Sequence, residues 1–291
     1  MIKGQSMKRL LLAAAAVFAL LAAGAVSSTA HATTAIASPA PPGVQVSRMA
    51  YQPGARLPAT QLPQLTPVNG TLASKNWSGY VDVACGTCAL RFVATSFTLP
   101  SLNCANSPAG SYASFWAGLD GVGDSTVEQI GTEAACSAGT ASYAAWYEMY
   151  PAAPVYFTGI SPGDAISMSV YYNAGTNRWQ LVLTDLTTGG NISAAQPCPS
   201  GSACRNSSAE VIAEAPSAST AGAVLPLADF GQAGFEGIAV TSRSGLHGSM
   251  TSTNLWTTDA IDMVGSTGHA LTSRSPAYGG QAFTETWQAA Q

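Results

Sequence analysis

Charge is scarce in this 291-residue chain: Asp, Glu, Lys and Arg together make up 9% of it. All 15 acidic residues fall at or after Asp82. Beyond residue 70 only Lys75, Arg91, Arg178, Arg205, Arg243 and Arg274 are basic, a formal charge of −9 for that region. Such a surface repels a phosphate backbone, so nucleic acid is excluded as a partner. When the carboxylates protonate, few ion pairs exist to be lost and few cations remain to repel one another. The composition therefore points to an acidic working environment.

Histidine is nearly missing too. Beyond residue 32 only His247 and His269 remain, each in a Gly- and Ser-rich stretch that reads as a loop. A serine hydrolase needs such a base and a G-x-S-x-G nucleophile elbow, and no such elbow is expected in this chain. HExxH is absent, so zinc hydrolysis has no support. Asp124-Ser125-Thr126 lacks the glycine and the second copy that an aspartic peptidase would show. Neither a metal nor an organic cofactor is called for.

Long apolar runs are confined to one place. Lys3, Lys8 and Arg9 precede an apolar stretch from Leu10 to Val26, and Ala30-His31-Ala32 supplies small residues around a cleavage point. Residues 1–32 thus read as an export signal, shorter in its apolar part than the roughly 20 residues of a spanning helix. The mature protein is expected outside the cell, as a monomer with no stable membrane association. Residues 33–70 hold seven of the 17 prolines, no acid and no apolar period, and read as a linker or a removable pro-segment. Six cysteines, Cys85, Cys88, Cys104, Cys136, Cys198 and Cys204, follow the signal. An even count in an exported chain favours disulfides, and local pairing gives Cys85–Cys88, Cys104–Cys136 and Cys198–Cys204.

Residues 71–291 are long enough for one substantial core, and the pattern is all-β. Arg91–Leu99 and Ser167–Tyr172 are rich in β-branched and aromatic residues. Residues 167–186 read as a hairpin, with Gly175 in its loop. Similar stretches recur at Trp77–Val83, Ala113–Leu119, Tyr143–Tyr150, Gly237–Thr241, Ser249–Trp256 and Ala282–Trp287. A sandwich of two packed antiparallel sheets, of the concanavalin A-like or jelly-roll type, accommodates this many short strands.

Within that frame stand Asn76-Trp77-Ser78-Gly79, FWAGLDG (Phe115–Gly121), EQIG (Glu128–Gly131), YAAWYEMYP (Tyr143–Pro151) and AEVIAE (Ala209–Glu214). In words and in order, these resemble the glutamic peptidases, or eqolisins, here a secreted bacterial-type member. The resemblance spans about Asn76 to Pro216. It implies a β-sandwich, proteolysis of protein or peptide substrates in acid, and synthesis as a zymogen. It places the catalytic glutamine on Gln129 and the catalytic glutamate on Glu214 rather than Glu210. Two-residue alternation puts Glu210, Ile212 and Glu214 on one face, so periodicity alone does not choose between the two glutamates. Trp77 and Trp116 are the expected aromatic substrate contacts, with Tyr150, Asp120, Glu133 and Glu148 around the cleft. Glu133 stands where the family usually has a shorter acid, and Ile130 and the sequence after Glu214 depart from the fungal pattern.

An amide and a carboxylate suffice for peptide hydrolysis. An ionised Glu takes a proton from the attacking water and returns it to the leaving nitrogen, while an amide N–H donates to the forming oxyanion. Two other readings use the same residues. A glycoside hydrolase would pair Glu148 with Glu214 across an aromatic cleft, and a carbohydrate-binding module would use the aromatics without turnover.

Overall fold

The computed structural model describes residues 65–68, 71–84, 89–218, 223–252 and 254–291. The export signal, nearly all of segment 33–70, and Cys85 and Cys88 lie outside these residues. Two sheets face each other. The first has nine strands, in the order β1 (Thr66–Val68), β2 (Thr71–Ser74), β17 (Trp256–Met263), β3 (Trp77–Ala84), β12 (Ser208–Glu214), β5 (Ser111–Asp120), β6 (Val127–Ser137), β7 (Thr140–Tyr150) and β8 (Val155–Phe157). The second runs β11 (Asn191–Gln196), β10 (Arg178–Asp185), β9 (Ala165–Asn173), β4 (Leu90–Thr98), β15 (Gln232–Ser242), β19 (Phe283–Trp287) and β18 (Thr272–Arg274), with β16 (His247–Gly248) beside β15. A small hairpin of β13 (Ser217–Ala218) and β14 (Ala223–Val224) stands apart. Every pairing within the two large sheets is antiparallel except that of β2 with β17. The all-β sandwich expected from the sequence is the fold.

Alternation explains the layers. On β9 and β10, Ile166, Met168, Val170, Tyr172, Trp179, Leu181 and Leu183 enter the core, and the residues between them face outward. The two strands pair from Asn173↔Arg178 to Ile166↔Asp185, the hairpin the sequence indicated. The first sheet differs, because β5, β6 and β12 are buried on both faces. Phe115, Ala117 and Leu119 of β5 join the main core, while Trp116 joins a second cluster on the opposite face with Trp77, Val81, Trp146, Tyr156 and Ile212.

The disulfides Cys104–Cys136 and Cys198–Cys204 form as local pairing predicted. Ser249–Trp256 corrects one expectation: the stretch is mostly turn, and its strand begins only at Trp256. Gly159-Ile160-Ser161-Pro162-Gly163 carries the letters of a nucleophile elbow, yet it joins strand to strand and Ser161 N donates to Asp164. Thr66–Val68 pairs with β2, so the end of the proline-rich segment belongs to the sheet.

Acids are buried in the core as well. Asp82 accepts from Thr258 and Glu285 from Ser78. Burial pushes each carboxyl up to about 8, against the opposing effect of those hydrogen bonds. Unfolded carboxyls titrate near pH 4. A folded-state pKa above that value adds stability that is complete below about pH 4 and is lost as pH rises toward 8. Each pH unit of such displacement is worth about 1.4 kcal/mol, set against total stabilities of about 5–15 kcal/mol. Calorimetry across pH 3 to 8 should therefore find the highest melting temperature at the acid end and a continuous fall above it. Glu285→Gln should flatten that fall; a maximum near neutrality would contradict the assignment.

Candidate active site

The outer face of the nine-stranded sheet carries the residues singled out by sequence. Cross-strand partners project to the same side, so register defines who meets whom. Glu214 pairs with Trp77 on one side and Ser114 on the other, and Ser114 pairs in turn with Glu133. Gln129 pairs with Gly118 and Glu148, and Gly118 also faces Glu210. The level of Gln129 thus lies four residues along β5 from that of Glu214, about 13 Å at roughly 3.3 Å per residue.

Trp116 occupies the space between. Its cross-strand partners are Gly131 and Ile212. A Cβ at Gly131 would stand 2.5 Å from Trp116 Cβ and 2.3 Å from Phe115 O; one at Gly118 would stand 3.0 Å from the benzo edge of the indole and 3.3 Å from Gln129 Cβ. Two missing side chains therefore give the indole its bed. Its other edge donates Nε1–H to Glu214 Oε2 at 2.7 Å. Trp77 meets Trp116 edge-on, with centroids 4.8 Å apart and planes at 75°. Asn76 Nδ2 approaches Glu214 Oε1 at 3.5 Å. Asn76 was legible only as part of a motif, and Ser114, Gly118 and Gly131 carried no signal of their own.

Gln129 is held from the far side, its Nε2 donating to Glu148 Oε2 at 2.6 Å. The Gln129 carbonyl oxygen accepts no hydrogen bond among the described residues. An amide carries two N–H donors and one acceptor oxygen, so one N–H and the oxygen remain for an incoming group. Glu133 is buried one strand over from Ser114, whose hydroxyl donates to it at 3.4 Å. Tyr150 packs half-buried at the edge of the Trp77–Trp116 cluster.

Asp120 is differently employed. It sits six residues from Ser114 on β5, on the order of 20 Å away. Its carboxylate accepts from Asn206 N (2.8 Å), Ser207 N (2.6 Å) and Ser207 Oγ (3.1 Å), tying β5 to the approach of β12. Asp124 shares the Ser207 hydroxyl at 2.6 Å and binds Gly121 N at 2.9 Å. Burial, then the hydrogen bond and charge of Asp120, push Asp124 up to about 7. Burial first, and the Asp120 charge with it, also raise Glu128 and Glu210 well above the ordinary range. The loop after β5 covers this end: Val122 packs on the Trp77 cluster and its N–H donates to Ser208 Oγ. Glu210 is sealed beneath, fully buried, whereas Glu214 and Gln129 retain 4% and 5% exposure. Among the described residues no group of His, Cys, Asp and Glu has a metal-binding arrangement.

Asp120→Ala should leave two buried N–H groups unpaired and place an alanine at φ 67°. A loss of about 3 kcal/mol or more follows, readable as a lower urea midpoint. Asp120→Asn should recover part of it, and a midpoint unmoved by either change would refute the tie.

Three comparisons bear on this face. The model of the peptidase A4 family matches residues 75–286. Scytalidopepsin B of Scytalidium lignicola is 31% identical over 231 residues, 76% of this chain and 84% of that protein. Aspergillopepsin-2 of Aspergillus niger is 27% identical over 203 residues, 62% of this chain and 70% of that protein. A solved structure of scytalido-glutamic peptidase with a peptide-based transition-state analogue superposes with a TM-score of 0.62 at 25% identity, over 74% of this chain and 98% of that one. The crystal structure of aspergilloglutamic peptidase from Aspergillus niger gives 0.53 at 27% identity, over 61% and 99%.

Proposed function

This chain belongs to the peptidase A4 family, and on that premise we propose that it is a secreted, acid-active endopeptidase whose chemistry rests on Glu214 and Gln129. The peptidase class follows from family membership and from the glutamic peptidases it resembles. The observation that carries the dyad is the pair of held but unsealed groups flanking one indole. Trp116 and Asn76 orient the Glu214 carboxylate, Glu148 orients the Gln129 amide, and both side chains keep slight exposure while Glu210 has none.

In this reading the substrate backbone lies over Trp116, with the scissile carbonyl between the two groups. Ionised Glu214 removes a proton from water as its oxygen bonds to the carbonyl carbon. The remaining Gln129 N–H donates to the oxygen that becomes negative, a contribution of about 3 kcal/mol in the transition state. Glu214 then returns the proton to the nitrogen as the C–N bond breaks. Glutamine does not titrate, so the carboxylate alone sets the acid limit.

The glycosidase alternative loses ground on the same geometry. Glu148 is committed to the Gln129 amide, its Oε2 accepting from Gln129 Nε2 at 2.6 Å.

Cleavage of a denatured protein across pH 2 to 7, with pepstatin and EDTA present, tests the proposal. Wild type should cut in acid despite both inhibitors, and Gln129→Ala and Glu214→Gln should each lose at least about a hundredfold in kcat. Glu148→Gln should lower kcat about tenfold with little change in KM, since it disturbs only the orientation of the amide. Full activity in either dyad variant would sink the assignment.

The segment before β1 is proposed as a pro-segment removed after export. Because Thr66–Val68 pairs with β2 and Leu65 packs on the Trp77 cluster, the cut should fall before Leu65. Intact mass of the mature protein checks this; a terminus beyond residue 70 would contradict it.

A further inference from the structure

The opposite outer surface of the sandwich, on the second sheet, carries a feature that peptide hydrolysis does not use. His247, Thr241, Phe92, Tyr171 and Gln180 are successive cross-strand partners on five adjacent strands, and so form one row across the outer face. Phe92 and Tyr171 face each other on neighbouring strands, whose spacing is about 4.8 Å. Tyr171 is one of four exposed large hydrophobic residues among those described, at 36% exposure. A cavity of about 290 Å³ opens over this row, lined by Arg91, Phe92, Tyr171, Thr241 and His247, with Ala239 and Gly248 keeping it open. None of its lining residues is acidic, in a region whose formal charge is −9.

Arg91 stands at a register shift. Leu90 faces Ser242 and Phe92 faces Thr241, so Arg91 is the extra residue of a bulge, a device that re-aims a side chain. Its Nε is buried and meets no acceptor, and among the described residues Arg91 forms no ion pair. The guanidinium fork suits a carboxylate bidentately. Backbone groups within a sheet are already consumed by the ladder, so a ligand on this face is recognised through side chains alone. Flat aromatic rings take the C–H face of a sugar, and a cation beside them takes an acid group on it.

We propose that this face binds an acidic polysaccharide, a polyuronate, at a site separate from the peptidase cleft. Phe92 and Tyr171 form the platform for a sugar ring, and Arg91 holds its carboxylate. The claim does not depend on the catalytic assignment.

Native affinity electrophoresis of the mature Glu214→Gln protein in gels containing polygalacturonate tests it. Migration should be retarded with polygalacturonate and unaffected by neutral dextran. Arg91→Met and Tyr171→Ser, each made in the Glu214→Gln background, should each weaken the retardation at least tenfold. Their melting temperatures should match the parent, and either variant in the wild-type background should cleave peptides normally. If Arg91→Met does not fold, the surface change Tyr171→Ser decides alone. Absence of retardation, equal retardation in dextran, or persistence in Tyr171→Ser would overturn the proposal. Equal binding of poly-glutamate that ignores Tyr171→Ser would do so too, leaving only charge attraction.

Discussion

The hydrogen bond from Trp116 Nε1 to Glu214 depends on two glycines in neighbouring positions, and much of the outer face depends on that bond. A large ring can lie flat on a sheet only where the adjacent side chains are missing. Gly131 and Gly118 supply that absence, on the strand beside Trp116 and two residues along its own strand. With the indole fixed, its N–H aims one carboxylate and its benzo edge lies against Gly118, the cross-strand partner of Gln129. Trp77 braces the ring edge-on and is itself touched by the loop after β5, where a Cβ at Gly121 would stand 3.1 Å from its ring. A single side chain thus sets the spacing between an acid and an amide that lie on strands separated by a third.

The distribution of acids follows a related logic. Few surface charges are available, and several of the carboxyls are inside the sandwich, where burial favours the protonated form. In acid these groups are neutral hydrogen-bonding side chains and cost little. Near neutrality the same groups would carry charge in an apolar interior. Stability in acid is therefore favoured by the core itself, whatever group reacts. It also accounts for the near absence of ion pairs: among the described residues Arg274 with Asp262 forms the salt bridge, at 3.1 Å.

Sequence periodicity revealed β9 and β10, where one face alone is buried. SMSVYY and RWQLVLTD alternate cleanly, and their hairpin is found in register. Strand β6 was visible only as the four letters EQIG, because a strand buried on both faces has no alternation to read. Strand β17 was missed for a different reason: its Thr and Asp residues weaken the pattern, while the Met and Leu just before it mimic a strand across turns. The ordered motifs located the candidate site, yet nothing local separated Glu210 from Glu214. In the structure Glu210 is fully buried while Glu214 keeps 4% exposure, and Val122, about ninety positions earlier in the chain, binds Ser208 two residues from Glu210. Asp120 likewise reads as a cleft acid from its motif, and only its contacts with Asn206 and Ser207 reveal its tie to the backbone.

A sheet face has a particular advantage for a two-group catalyst. Each side chain of the proposed dyad is anchored by a strand that is hydrogen-bonded on both sides, so neither depends on a loop for its position. Pre-organised donors and acceptors act most strongly when they need not rearrange as charge develops. Glu148 extends this rigidity outward by fixing the amide plane of Gln129 from the next strand. The cost falls on adaptability: a flat, strand-built cleft offers few deep pockets, so selectivity must come from shallow contacts along the extended substrate. In this chain Glu133, longer than the acid expected at its position and buried beside Ser114, alters the floor of that cleft directly level with Glu214. Differences in substrate choice between this peptidase and its fungal relatives should therefore originate along the row Glu214, Ser114 and Glu133, where the chemistry stays fixed and the shape does not.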